Sequence, residues 1–76
     1  MTLDQLQSMY AAAELAAVNI LPNASSAGEW VLLVKDKQGK SHFLVAGDEK
    51  VQSFSSIDAA SVVVREIGFK RAKLFL

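Results

Sequence analysis

A tight turn between two apolar segments is the feature that most constrains this chain. Asp36 and Gly39 are the first and fourth residues of Asp-Lys-Gln-Gly, which fits a type I turn whose glycine adopts the left-handed conformation. This turn places Asp36 opposite Lys40 and so fixes the register of the two strands. The predicted pairs are Val34 with His42, Leu33 with Phe43, Leu32 with Leu44, Val31 with Val45, and Trp30 with Ala46.

Both faces of this predicted hairpin are apolar. Side chains alternate across a strand, and the chain has 76 residues, near the lower size limit for a self-sufficient core. So small a chain has little material to cover two apolar faces, and we therefore expect another molecule to cover one of them. One face carries Trp30, Leu32, Val34, His42, Leu44 and Ala46, and the other carries Val31, Leu33, Phe43 and Val45.

A helix and a strand are predicted before the hairpin. Thr2 and Gln5 have the spacing of a capping box, and apolar residues recur at helical spacing after it. We expect this helix to end near Ala13 or Glu14. The segment Ala17–Leu21 is then predicted to form a strand that Pro22 ends.

A second helix and a last strand are predicted after the hairpin. Val51–Phe54 reads as a short strand, and Ser55 is the predicted N-cap of the helix, with Asp58 three residues later. Gly68 is the predicted left-handed C-cap. Residues 72–76 alternate in polarity and predict a final strand.

This order of elements predicts an α+β fold in a single domain, residues 1–76. Short connections favour an antiparallel sheet of four or five strands with both helices packed on one face, in the order α-β-β-β-β-α-β. The neighbour of the last strand cannot be derived from the pattern.

Composition excludes several classes of protein. Hydrophobic residues make up 51% of the chain and charged residues 21%, which is typical of a folded chain. The formal net charge is zero, so the net charge provides no long-range attraction to nucleic acid or to a membrane. No secretory signal or membrane helix is evident, because Glu14 and Asn19 interrupt the apolar stretch Met9–Leu21. A cytoplasmic protein is expected.

The residues that catalysis or metal binding requires are missing. His42 is the single histidine and there is no cysteine, so the sequence contains no ligand set for a metal ion. Ser41 precedes His42, but alternation along a strand sends the two side chains to opposite faces. The four glycines are isolated and form no phosphate-binding loop. We expect no enzyme activity, no cofactor and no small-molecule substrate.

Two groups of basic residues leave a second function open. One lies at the hairpin tip and the other near the C-terminus, and both are candidates for contact with phosphates; solubility at exposed turns is the alternative. Trp30 and Phe75 are candidates for base stacking or for packing in an interface. The alternative function is a small DNA-binding accessory protein that uses Lys35, Lys37, Lys40, Lys70, Arg71 and Lys73.

Three segments carry a resemblance to a known group of proteins. Gly28–Leu32, Phe54–Ala60 and Ile67–Phe69 resemble small plasmid-related or partition-associated proteins of bacterial plasmids and integrative elements. The resemblance implies a role in plasmid or mobile-element maintenance and carries over no functional residues. The order of elements is also similar to the double-stranded-RNA-binding domain, but the run 55–60 has no lysine where that family has several.

A non-enzymatic accessory or interaction protein is the function that the sequence favours. It would form a homodimer, or bind another protein, through one apolar face of the sheet, because a large exposed apolar patch is rare on a monomer and two-fold dimers are the commonest assembly. The predicted interface residues are Trp30, Leu32, Val34, His42 and Leu44.

Overall fold

Two helices lie on one face of a four-stranded sheet in the computed structural model, which describes residues 1–76. Strands β1 to β3 are antiparallel, and β4 pairs with β1 in parallel. The predicted α+β fold is confirmed, with four strands in the order β3-β2-β1-β4 and one parallel pair. The elements are α1 Leu3–Ala11, β1 Leu15–Pro22, β2 Trp30–Asp36, β3 Ser41–Phe43, α2 Ile57–Ile67 and β4 Lys73–Leu74.

The hairpin turn and the register beside it are confirmed. Gly39 has a φ of 88°, and its N–H donates to the Asp36 carbonyl at 3.1 Å. His42 pairs with Val34, and the ladder continues until the Leu44 N–H donates to the Leu32 carbonyl at 3.1 Å. The turn geometry therefore determines the pairing over this part of the hairpin.

The far end of the hairpin differs from the prediction. Trp30 pairs with Phe54 instead of Ala46, through hydrogen bonds of 2.9 and 2.7 Å. The cause is the second turn, in which the Ala46 N–H donates to the Lys50 carbonyl and the chain folds back. The predicted strand Val51–Phe54 is thereby reduced to two isolated bridges.

The helix ends follow local chemistry closely. The Thr2 capping box is present, whereas α1 ends at Ala11, earlier than expected. The N-cap of α2 is Ser56 and not Ser55, because the Ser56 hydroxyl is the one that accepts the Ala59 N–H, at 3.0 Å. Gly68 ends α2 with a φ of 131°, as predicted.

The helices cover the face that was predicted to be the interface. Leu32, Val34 and Leu44 are completely buried in the core, and Trp30 packs against its edge. The predicted placement of the interface on this face, His42 included, is therefore wrong. The core cluster consists of Leu6, Leu15, Val18, Ile20, Leu32, Val34, Leu44, Phe54, Ala60, Val64 and Ile67.

Strand β1 explains why the helices cover this face. Its register with β2 adds Val18 and Ile20 beside Val34 and Leu32, so two strands, together with Leu44 just after β3, contribute large aliphatic side chains to one surface. The apolar stripes of both helices bury the most area by packing there.

Candidate functional site

The opposite face of the sheet has no helix on it. In the ladders, Leu21 pairs with Val31, and Leu33 pairs with both Asn19 and Phe43. Alternation along each strand places these side chains away from the core. We call this surface the open sheet face; its apolar residues are Leu21, Val31, Leu33, Phe43, Val45 and Phe75.

The open sheet face is apolar and only partly shielded. Val31 is 6% exposed, yet it is the one buried apolar residue outside the core cluster, so neighbours on its own face shield it. Phe43 is 43% exposed and Phe75 is 45% exposed. Two aromatic rings therefore meet solvent at opposite edges of this face, on β3 and just after β4.

His42 serves the hairpin turn. Its Nε2 lies 2.9 Å from Asp36 Oδ2, while Asp36 Oδ1 accepts the backbone N–H groups of Gln38 at 2.8 Å and Lys40 at 3.0 Å. The hydrogen bond from His42 is the main cause that lowers the pKa of Asp36 below its ordinary value; desolvation of the carboxylate acts in the opposite direction. All of these contacts stabilise the turn.

The hairpin group of basic residues lies beside the start of β1. Lys35 pairs with Ala17 in the ladder, and the Lys37 N–H donates to the Glu14 carbonyl at 2.9 Å. Lys40 closes the same turn. The tip of the hairpin is therefore attached to the residues that lead into β1.

The second basic group lies on the other side of the same part of β1. A groove of about 570 Å³ runs between residues 16–19 and residues 69–73, and three basic residues line it. The fold thus brings both groups to one end of the sheet, which the sequence could not establish. We call this surface the basic end: Lys35, Lys37, Lys40, Lys70, Arg71 and Lys73.

Acidic residues occupy the other end of the sheet. Asp4 lies by the segment 45–47, Glu29 bonds the Ser53 hydroxyl next to β2, and Asp58 is in the first turn of α2. Lys50 is the one basic side chain there. A chain with zero net charge therefore has two oppositely charged ends. The acidic end consists of Asp4, Glu29, Asp48, Glu49 and Asp58.

The structure assembles no catalytic or metal-binding constellation. No three His, Asp or Glu side chains are grouped to hold a metal ion. His42 bonds Asp36, but Ser41 is exposed in the row of Lys35, on the opposite face. Neither helix is long and apolar enough to cross a membrane.

Comparison with protein-family models, with curated proteins and with solved structures gives no match. The resemblance to small plasmid-related proteins therefore stays a prediction. The open sheet face and the basic end are the two surfaces that bear on function.

Sequence reasoning missed which face the helices cover, although β1 contains the signal. Val18 and Ile20 alternate with Ala17 and Asn19, so one side of this strand is much more apolar than the other. Aligning β1 with β2 across the loop 23–29 would have placed the larger residues beside Leu32.

Proposed function

We propose that this chain is a non-catalytic interaction protein that forms a homodimer through the open sheet face. The observation that carries the proposal is that both helices pack on one side of the sheet, while the other side exposes Phe43 and Phe75 within an apolar surface. Such surfaces on small proteins are usually covered by a partner.

The dimensions of the molecule favour a partner of similar size. It measures 34 by 26 by 21 Å, so even its widest side is no larger than 34 by 26 Å. A stable interface buries about 800 Å² on each partner. A second copy packed on the open sheet face reaches that area only by using most of it.

Charge favours a second copy over an unrelated protein. The net charge is zero, so no overall repulsion opposes self-association. A two-fold axis that runs across the strands would place the basic end of each copy against the acidic end of the other, which is the complementary arrangement. An axis along the strands would bring like charges together.

Light scattering coupled to size exclusion, at micromolar concentrations, tests the dimer. The wild-type chain should elute with twice the monomer mass. Phe43→Ser should shift the molecule to monomer, because it removes an aromatic ring from the open sheet face. Val62→Ser is the matched control, since Val62 is 57% exposed on α2, and it should remain dimeric.

A monomeric wild-type chain at these concentrations would contradict the proposal. So would a Phe43→Ser variant that dimerises as well as the wild type. If the resemblance to plasmid-related proteins is meaningful, the dimer has an accessory role in plasmid or mobile-element maintenance, and genes for partition or transfer should lie beside its own.

A further inference from the structure

We propose that the basic end binds the phosphate backbone of double-stranded DNA. The inference concerns the single protomer, which contains every residue of the basic end. Lys35 and Lys73 pair with residues of the open sheet face on β1, so a dimer through that face would compete with DNA for this end. The inference depends on four features of this end: unpaired charge, separation from acids, spacing and the packing of the nearest aromatic ring.

The basic side chains have no acidic partners. The one close contact between a basic side chain and a carboxylate joins His42 and Asp36, so none of the six lysine and arginine side chains of the basic end is paired with an acid within the protein. All six residues are exposed. Unpaired exposed cations are available to replace the counterions of a phosphate backbone.

The acids near the basic end are few. Glu14 precedes β1, Glu66 is in the last turn of α2, and Asp36 is 7% exposed and occupied by His42 and the turn. Arg65 adds a further positive charge beside Lys70 and Arg71. Seven of the eight basic residues but only three of the eight acids thus lie at or near the basic end, and one of these acids is buried. The local potential is therefore positive although the chain is neutral.

The spacing of the two basic groups fits a groove of DNA. The hairpin group lies at β2 and its turn to β3, and the other lies at β4, with β1 between them. Neighbouring strands are about 4.8 Å apart, so the groups are separated by roughly 10–14 Å. The major groove is about 12 Å wide. One basic group can therefore contact the phosphates on each side of the groove.

No aromatic residue is among the six residues of the basic end, and the exposed ring of Phe75 belongs to the open sheet face. The Tyr10 ring packs edge-on against Phe69, with centroids 4.9 Å apart, and its atoms lie against Gly68. Trp30 is at the acidic end of the sheet, paired with Phe54. Binding of single strands normally uses free aromatic side chains. The chemistry of this end therefore favours a duplex, held by phosphate contacts with little sequence preference.

Fluorescence anisotropy with a labelled random-sequence DNA duplex, across a range of salt concentrations, tests the proposal. Affinity should fall steeply as the salt concentration rises. In a plot of log affinity against log salt concentration, each phosphate contact should add about 0.9 to the steepness of the slope. The double variant Lys37→Ala/Arg71→Ala removes one cation from each group and should reduce the slope by about 1.8 units.

Two further variants make the result specific. Lys50→Ala is the matched control, because it removes one lysine from the acidic end, and it should bind the duplex like the wild type. Lys37→Arg keeps the charge and should also bind normally. Phe43→Ser should keep the same salt dependence of DNA binding for each protomer. Loss of dimerisation and loss of DNA binding can therefore be told apart.

Several outcomes would overturn the proposal. They are absence of binding at the lowest salt, an equal loss of affinity in Lys50→Ala, and an unchanged slope in the double variant. Competition by poly-glutamate as strong as by unlabelled duplex would instead indicate an acidic protein partner. Binding to vesicles with anionic lipid but not to the duplex would indicate a membrane surface.

Discussion

The two faces of the same sheet have similar strands and different surroundings. Leu32 and Leu33 are adjacent and chemically identical, yet Leu32 is completely buried under the helices, while Leu33 lies on the open sheet face and is only partly buried. The difference comes from β1, which adds Val18 and Ile20 on one side and Ala17 and Asn19 on the other. The apolar pattern of a hairpin does not select its core face; the third strand does.

The largest effect should come from truncating one leucine on each face. Leu32→Ala should lower the free energy of unfolding by about 2–5 kcal/mol, because it leaves a cavity in the packed core. Leu33→Ala should cost about 1 kcal/mol or less in the monomer, since its side chain is only partly buried. Urea denaturation at a concentration low enough to keep the protein monomeric measures both. Equal losses would mean that the helices do not distinguish the two faces.

Packing on the covered side should also make Gly68 intolerant of a side chain. An added Cβ would collide with the ring of Tyr10, and the φ of 131° strains any other residue. We expect Gly68→Ala to lower the free energy of unfolding by about 1–3 kcal/mol. Gly47→Ala is the control, because a Cβ there meets nothing within 4 Å. Thermal unfolding of both variants should show a large loss only at position 68.

Asp36 lies at the polar end of the covered face. Replacing it should change the free energy of unfolding less than the substitutions above, and the change should depend on pH. Its pKa is lowered from 3.8 by the hydrogen bond from His42. A lowered pKa means that the carboxylate stabilises the fold above its ordinary pKa, and that this stabilisation disappears as the pH falls through the lowered value. Asp36→Asn should therefore be less stable than the wild type at neutral pH, and the two should approach each other as the pH falls below the lowered pKa of Asp36.

Denaturation at several pH values measures this difference. Asp48→Asn is the matched control in the other turn, where the carboxylate accepts a single backbone N–H, from Lys50. If the free energies of unfolding of the wild type and Asp36→Asn differ by the same amount at every pH, the charge of the carboxylate is not the cause of the difference.

The parts of the fold that local chemistry determines were predictable from the sequence. The Asp36–Gly39 turn fixes its own register, and the Thr2 capping box identifies the start of α1. At the start of α2, two adjacent serines both fit the N-cap position. The path of the chain after Phe54 makes Ser56 the N-cap. Local patterns predict an element better than its last residue.

The candidate site depends on contacts distant in sequence, so the sequence could not establish it. The basic end forms because β4 pairs in parallel with β1, which brings Lys73 beside Asn19. The neighbour of a two-residue strand has no signature in its own sequence. The charge separation of a neutral chain was invisible for the same reason.

Thiol labelling of a cysteine on each side of the molecule tests the central claim most directly. The chain has no cysteine, so Ala17→Cys places a single thiol on the open sheet face and Ala11→Cys places one on α1; both alanines are exposed. If a second copy covers the open sheet face, labelling of Ala17→Cys should slow as protein concentration rises, while that of Ala11→Cys stays constant. A labelling rate of Ala17→Cys that does not change with protein concentration would contradict the account.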